Sequence, residues 1–255
     1  MVFAMMDTHC HLTYKGLDEI KDQVIAEARK DMFGIVTCGL PEDADKALHL
    51  SAKYPDFVHV TLGLHPTDVL HMSDEQIESY KQFITKNKAK IIAIGEIGLD
   101  YHWIKDEKDI KKTKIVFVDF IYLAKQLNLP IILHSRKAEE DVLKIIVDND
   151  VRNATFHSYT GNITLARQII EEGYYISINT NIINSKNSKK IAKSLPLEML
   201  LTETDSPFLS PFPGKPNVPQ NVKLVVETIA KLRGERFDEV NQTLLENCKT
   251  FFNIE

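Results

Sequence analysis

Asp7-Thr8-His9-Cys10-His11 closes the first apolar run of the chain, Val2-Phe3-Ala4-Met5-Met6, and its reading decides the fold. The run has the make-up of a buried strand and is too short for a signal peptide or a membrane span. Side chains alternate across a strand, so Asp7, His9 and His11 share one face if strand geometry persists that far. Two imidazoles backed by a carboxylate form half of a metal site. The same pair on a surface loop would mean little, because His is a routine polar residue as well as the commonest metal ligand. What separates the readings is whether partners of the right chemistry end other strands.

Working outward, short runs rich in Val, Ile and Leu predict further strands at 33–38, 57–62, 91–94, 130–133, 154–156, 174–178 and 199–202. Amphipathic segments at 17–31, 43–53, 107–127, 139–148, 163–172, 186–194, 220–232 and 237–252 predict helices. Asp18 is the expected N-cap of the first, and Ser73-Asp74-Glu75-Gln76 opens a further helix with a capping-box pattern. Strand and helix alternate eight times, which implies parallel strands with helical crossovers. The expected fold is an α/β (β/α)8 TIM barrel, with an open doubly wound sheet as the competing architecture. A barrel of this kind uses about 250 residues as one domain; no linker divides residues 1–255, so a single domain is expected. The stretch 207–219 holds five of the ten prolines and reads as a stiff wall or lid over the barrel mouth.

The polar residues that break this pattern fall at strand ends. His9 and His11 end the first strand, His65 the third, Glu96 the fourth, His134 the fifth, His157 the sixth and Asp205 the eighth. Five of the nine histidines are thus placed where a barrel gathers its active site, at the carboxyl ends of the strands. Four imidazoles and two carboxylates suffice for two divalent cations. His9, His11 and Asp205 would hold one, His134 and His157 the other, and Glu96 has two oxygens with which to bridge them. Two cations outweigh two carboxylates and a hydroxide by one positive charge, so the centre favours an anionic substrate. Imidazole-rich ligation suits Zn, Mn, Ni or Fe, and the carboxylates leave Mg open.

At these motifs the sequence resembles the TatD family of metal-dependent deoxyribonucleases, within the amidohydrolase-type barrels. The residues that carry the likeness are Asp7-x-His9-x-His11, Gly63-Leu64-His65-Pro66, Gly95-Glu96-Ile97-Gly98-Leu99-Asp100-Tyr101, His134-Ser135-Arg136, His157-Ser158-Tyr159-Thr160-Gly161 and Glu203-Thr204-Asp205-Ser206-Pro207. The resemblance implies a barrel, phosphodiester hydrolysis, a metal pair and the ligands His9, His11, Glu96, His134, His157 and Asp205. Two positions depart from the family: Thr113 stands where Gln is frequent, and Tyr159 where Phe is frequent. Neither is a ligand. Many related amidohydrolases bridge their metals with a modified lysine on strand four; here that strand end is Glu96, and Lys90 precedes the strand.

Around this centre Asp205 is expected to act as ligand and as general base, with Glu96 as the other catalytic carboxylate. His65 and Arg136 are candidate phosphate contacts, against a turn histidine and a helix-start salt bridge as the plain readings. Glu203 is placed to orient a histidine. Trp103 reads as a packed loop anchor, with base stacking as the alternative. The lysine runs 105–114 and 186–193 read as solvated helix faces, and Cys10 as core. The net charge of −5 excludes a global basic field for nucleic acid, so phosphates would be met locally. Three cysteines without a paired framework suit a reducing, cytoplasmic setting, and no apolar stretch is long enough to cross a bilayer. The expected substrate is DNA, as single strands or ends, cut as an exonuclease by a monomeric two-metal enzyme. The rivals are a carbonyl hydrolase on the same centre (an aminoacyl-tRNA deacylase, amidase or lactonase) and a barrel that only binds metal.

Overall fold

The computed structural model describes residues 5–255. Eight strands run in sequential order and all pair in parallel: β1 (Met5–Cys10), β2 (Met32–Gly39), β3 (Val58–Leu62), β4 (Ala93–Gly98), β5 (Ile131–His134), β6 (Ala154–Phe156), β7 (Tyr175–Ile178) and β8 (Leu200–Thr202). The helices are α1 (Lys21–Ala28), α2 (Ala44–Lys53), α3 (Pro66–Val69), α4 (Asp74–Lys86), α5 (Glu107–Leu127), α6 (Glu139–Asp148), α7 (Ile163–Glu171), α8 (Lys186–Ser194), α9 (Val222–Arg233) and α10 (Phe237–Phe252). This is the expected (β/α)8 barrel. Seven ladders join β1 to β8, and threonines complete the ring. Thr8 Oγ1 donates to Thr202 O (3.0 Å) and Thr202 Oγ1 to Met6 O (3.4 Å). Beyond the strand ends, Asp205 N donates to His9 O (3.0 Å) and His11 N to Ser206 O (2.7 Å).

Two apolar layers hold the ring. The larger packs the outward faces of the strands against the helices. The smaller gathers Met6, Val36, Ala93, Ile132 and Leu201 from five strands with Cys248, Phe251 and Phe252 of α10. Residues from five strands meet only inside the barrel, so α10 plugs its floor.

Where the elements differ from expectation, local chemistry explains it. The predicted run at 2–4 lies outside the described residues, and β1 extends instead through His9 to Cys10. β4 begins at Ala93 rather than 91, because Lys88–Lys90 forms a 3-10 turn, and it continues through Glu96 to Gly98. α1 starts at Lys21 without a side-chain cap; Asp18, the expected cap, pairs with Lys21 (2.8 Å) and Lys46 (3.0 Å) instead. The Ser73 box forms as expected, with Gln76 N donating to Ser73 Oγ (3.3 Å) and Ser73 N to Gln76 Oε1 (2.8 Å).

Candidate metal centre

The six side chains expected to bind metal meet at the carboxyl ends of the strands. Glu96 is at the centre. Its Oε2 lies 3.0 Å from His157 Nε2, 3.2 Å from His134 Nδ1 and 4.0 Å from His9 Nε2, and its Oε1 is 3.7 Å from His11 Nε2. Asp205 Oδ1 stands 3.6 Å from His11 Nε2 and 3.8 Å from His9 Nε2. The two Nε2 atoms of His9 and His11 are 3.2 Å apart. A tetrahedral ion with bonds of 2.0–2.1 Å separates its ligand atoms by about 3.3–3.4 Å, so this spacing fits a shared cation. Neither nitrogen can donate to the other without one ring losing its acceptor lone pair from the centre.

Burial makes the charge balance severe. Glu96 and His9 are almost fully buried. Burial pushes the Glu96 carboxyl up, but hydrogen bonds from His134 and His157 outweigh it and hold it well below the ordinary range. Burial opposes charge on His157, yet Glu203 and Glu96 raise it well above the usual imidazole value. His9 falls well below its ordinary value through burial and the neighbouring His157. Without a cation, the carboxylates can be balanced only by protonating imidazoles in a desolvated pocket. Divalent ions would supply that charge from outside, and the donor set fits them.

A second layer braces the first. His134 Nε2 is 2.9 Å from Asp100 Oδ2, and His157 Nδ1 is 3.4 Å from Glu203 Oε1, which also accepts from Ser158 N (2.6 Å). Glu203 thus takes the orienting position expected of it. Asp100 was not expected there; the one hint in the sequence is that it follows Glu96 by four residues. Cys38 was also overlooked: its Sγ receives Glu96 N and contacts Gly95 O, both at 3.1 Å. Asp7 corrects an expectation. The register of β1 on β2 shifts between Asp7 and Cys10, so alternation breaks and Asp7 does not share the His9/His11 face. Its carboxylate accepts from Thr204 N (2.9 Å) and Thr204 Oγ1 (2.5 Å), tying β1 to the chain leading to Asp205. Close backbone approach needs glycine twice: a Cβ on Gly63 would come within 2.4 Å of Glu96 O, and one on Gly98 (φ +146°) within 2.0 Å of His134 O.

His65 and Arg136 both line a cavity of about 490 Å³ over the cluster, with Trp103 and Phe208. His65 also caps α3, its Nδ1 accepting from Thr67 N at 3.3 Å, and burial beside His134 lowers it to about 4. Arg136 forms no ion pair among the described residues, so the helix-start salt bridge is not present; its guanidinium lies 5.8 Å from the Trp103 ring centroid. Trp103 is 66% exposed, which rules out a packed anchor. The proline-rich stretch forms the expected wall: Phe208 stands 5.8 Å from the His11 ring, and buried Asn217 fastens the loop to Thr204 O (2.8 Å). In the lysine runs, Lys114 pairs with Asp141 (2.6 Å) and Lys112 donates to Met72 O (2.9 Å), rather than lining the mouth. Cys10 is core, as expected.

A (β/α)8 barrel with a histidine–carboxylate cluster at its mouth defines the class of metal-dependent barrel hydrolases. Comparison with known proteins narrows this. The family model for TatD related DNase matches residues 6–253. An uncharacterized metal-dependent hydrolase of Methanocaldococcus jannaschii is 42% identical over 248 residues, covering 97% of this chain and 96% of that protein. Deoxyribonuclease TATDN3 of Homo sapiens is 31% identical, covering 98% and 94%. The crystal structure of YjjV, a TatD homolog from Escherichia coli, superposes with a TM-score of 0.91 at 29% identity, covering all of both chains. The chain belongs to the TatD family and is a metal-dependent hydrolase. No described helix is long and apolar enough to cross a membrane.

Proposed function

We propose that this protein hydrolyses phosphodiester bonds of DNA, working on single strands or strand ends as a single-domain monomer in the cytoplasm. The observation that carries the reading is Arg136, a cation without a carboxylate partner among the described residues, facing the same cavity as His11, Glu96, His134, His157 and Asp205. An arginine fork is suited to phosphate oxygens. A human relative is named a deoxyribonuclease, which supports the same substrate class.

His9, His11 and Asp205 would hold one divalent cation and His134 and His157 a second, with Glu96 between them; Zn, Mn, Ni and Mg are the candidates. Such ions supply Lewis acidity toward the phosphoryl oxygens and toward water. The residues do the rest. Arg136 and His65 hold the phosphate in place. Asp205 is the carboxylate that accepts the proton of the attacking water. Glu203 and Asp100 fix the rings of His157 and His134, so their nitrogens stay aimed at the centre. Trp103 presents an exposed face on which a base can stack.

The test is metal analysis of the purified protein, followed by incubation with end-labelled single-stranded DNA, charged tRNA and cyclic amides and lactones. Metal-dependent release of nucleotides is expected. Turnover of the carbonyl substrates with DNA left intact would overturn the phosphodiesterase reading. Metal binding without any turnover would mark a binding protein.

A further inference from the structure

The mouth of the barrel is two cavities, not one. The cavity of about 490 Å³ and a second of about 500 Å³ share His11, His65, Glu96 and Phe208, so they meet over the cluster. Each has the size of a small-molecule pocket, about 300–1,000 Å³. Their chemistry differs. The first lobe carries Arg136 and Trp103 with the neutral hydrogen-bonding groups Ser158, Thr160, Asn179 and Asn181. Besides the shared Glu96, its carboxylates, Asp100 and Asp205, face His134 (2.9 Å) and His11 (3.6 Å). The second lobe carries no Lys or Arg. Beyond the shared residues it presents Glu42, Asp68 and His71 with Tyr14, Leu40 and Met72.

We infer that this division of charge sets the direction in which a nucleic acid strand lies: the arginine lobe takes the phosphate-linked body of the strand, and the acidic lobe takes an uncharged terminal nucleoside. The inference rests on the phosphodiesterase reading and deepens it, because it makes Glu42 and Asp68 the residues that select which ends are cut. A strand lying across the cluster must put one phosphate at the centre and one flank in each lobe. A flank bearing more phosphates is drawn to Arg136 and is repelled by Glu42 and Asp68. A terminal nucleoside with a free hydroxyl brings no charge, and its hydroxyl and amino groups can donate to carboxylates. Its base finds apolar cover on Leu40 and Met72 and an aromatic flank in Tyr14, which packs 5.3 Å from Phe208. Burial, Glu42 and Glu96 together lift Asp68 to about 6, a sign that this lobe already resists further negative charge. A terminal phosphate would add that charge. End-directed cleavage then follows from the lobes themselves, since only an end offers a flank free of phosphate.

The experiment uses the metal-loaded enzyme and one single-stranded deoxyoligonucleotide, labelled internally and made with hydroxyl or phosphate at each end. At whichever end is processed, kcat/KM is expected to favour the hydroxyl form by about tenfold. Glu42→Gln with Asp68→Asn should shrink that ratio at least threefold. Arg136→Gln should lower kcat/KM on both forms and leave the ratio in place. Because Asp68 is partly buried, Glu42→Gln alone serves if the double variant fails to fold, with the ratio again expected to fall. Equal or better cleavage of phosphate-ended strands, a ratio untouched by the acidic-lobe variants, or internal cleavage without regard to ends would each overturn the inference while leaving the phosphodiesterase reading intact. No cleavage of any of the four strands would overturn both.

Discussion

The two ends of the barrel are made by the same strands and have opposite chemistry. On β1, Met6 belongs to the floor and His9 to the mouth; on β4, Ala93 and Glu96 divide in the same way; on β5, Ile132 and His134 do. The floor is dry and apolar, closed by Cys248, Phe251 and Phe252. The mouth buries carboxylates and imidazoles that are costly to desolvate. A few ångströms along each strand therefore separate groups that stabilise the ring from groups that tax it. Stability and chemistry should be removable one at a time.

The largest effect is expected at Glu96. Glu96→Gln removes the charge that faces His134, His157, His9 and His11. Turnover should fall by about 10³-fold or more, roughly 4 kcal/mol of barrier, with a loss of bound metal. Full activity in a metal-replete Glu96→Gln protein would break the division. The converse change is at the floor. Phe251→Ala should cost about 3–5 kcal/mol, read as a lower denaturant midpoint, with kcat of the folded fraction within about twofold. A large loss of kcat there would show that floor and mouth are coupled.

Glu203→Gln should be milder than the loss of Glu96. Removing the charge 3.4 Å from His157 Nδ1 is expected to lower metal affinity or activity by about 10–100-fold, seen by chelator competition. The smallest effect sharpens the picture of the floor. Burial pushes the Cys248 thiol up to about 12. At pH 8 only about one thiol in ten thousand is ionised, so labelling should track global unfolding as denaturant is added. Fast labelling of the folded protein would mean that α10 opens on its own.

Much of this arrangement was legible from side-chain type alone. The alternation of apolar runs with amphipathic segments defines the barrel, and the ligand side chains stand out because imidazole and carboxylate are foreign to the end of a Val/Ile-rich strand. The departures share a cause. β4 carries Gly95, Glu96 and Gly98, poor strand formers by propensity, and it remains a strand because tertiary pairing with β5 overrides that preference. Asp7 was misplaced because a register shift in β1 leaves no mark in the sequence. Asp18 was misread because a helix-start aspartate and one that pairs with distant Lys46 look the same in one dimension. Asp100 and Cys38 escaped notice because they act on other side chains or on the backbone, and neither has an identity peculiar to that task.

The seam between β1 and β8 links the chemistry to the completeness of the polymer. His9 and Asp205 stand 196 residues apart, yet the backbone amide of one binds the carbonyl of the other at 3.0 Å. A polypeptide emerging from the ribosome makes His9 and must add 196 further residues before the last carboxylate arrives. A fragment ending short of β8 would lack both the strand that closes the ring and Asp205, which completes the cluster of donors.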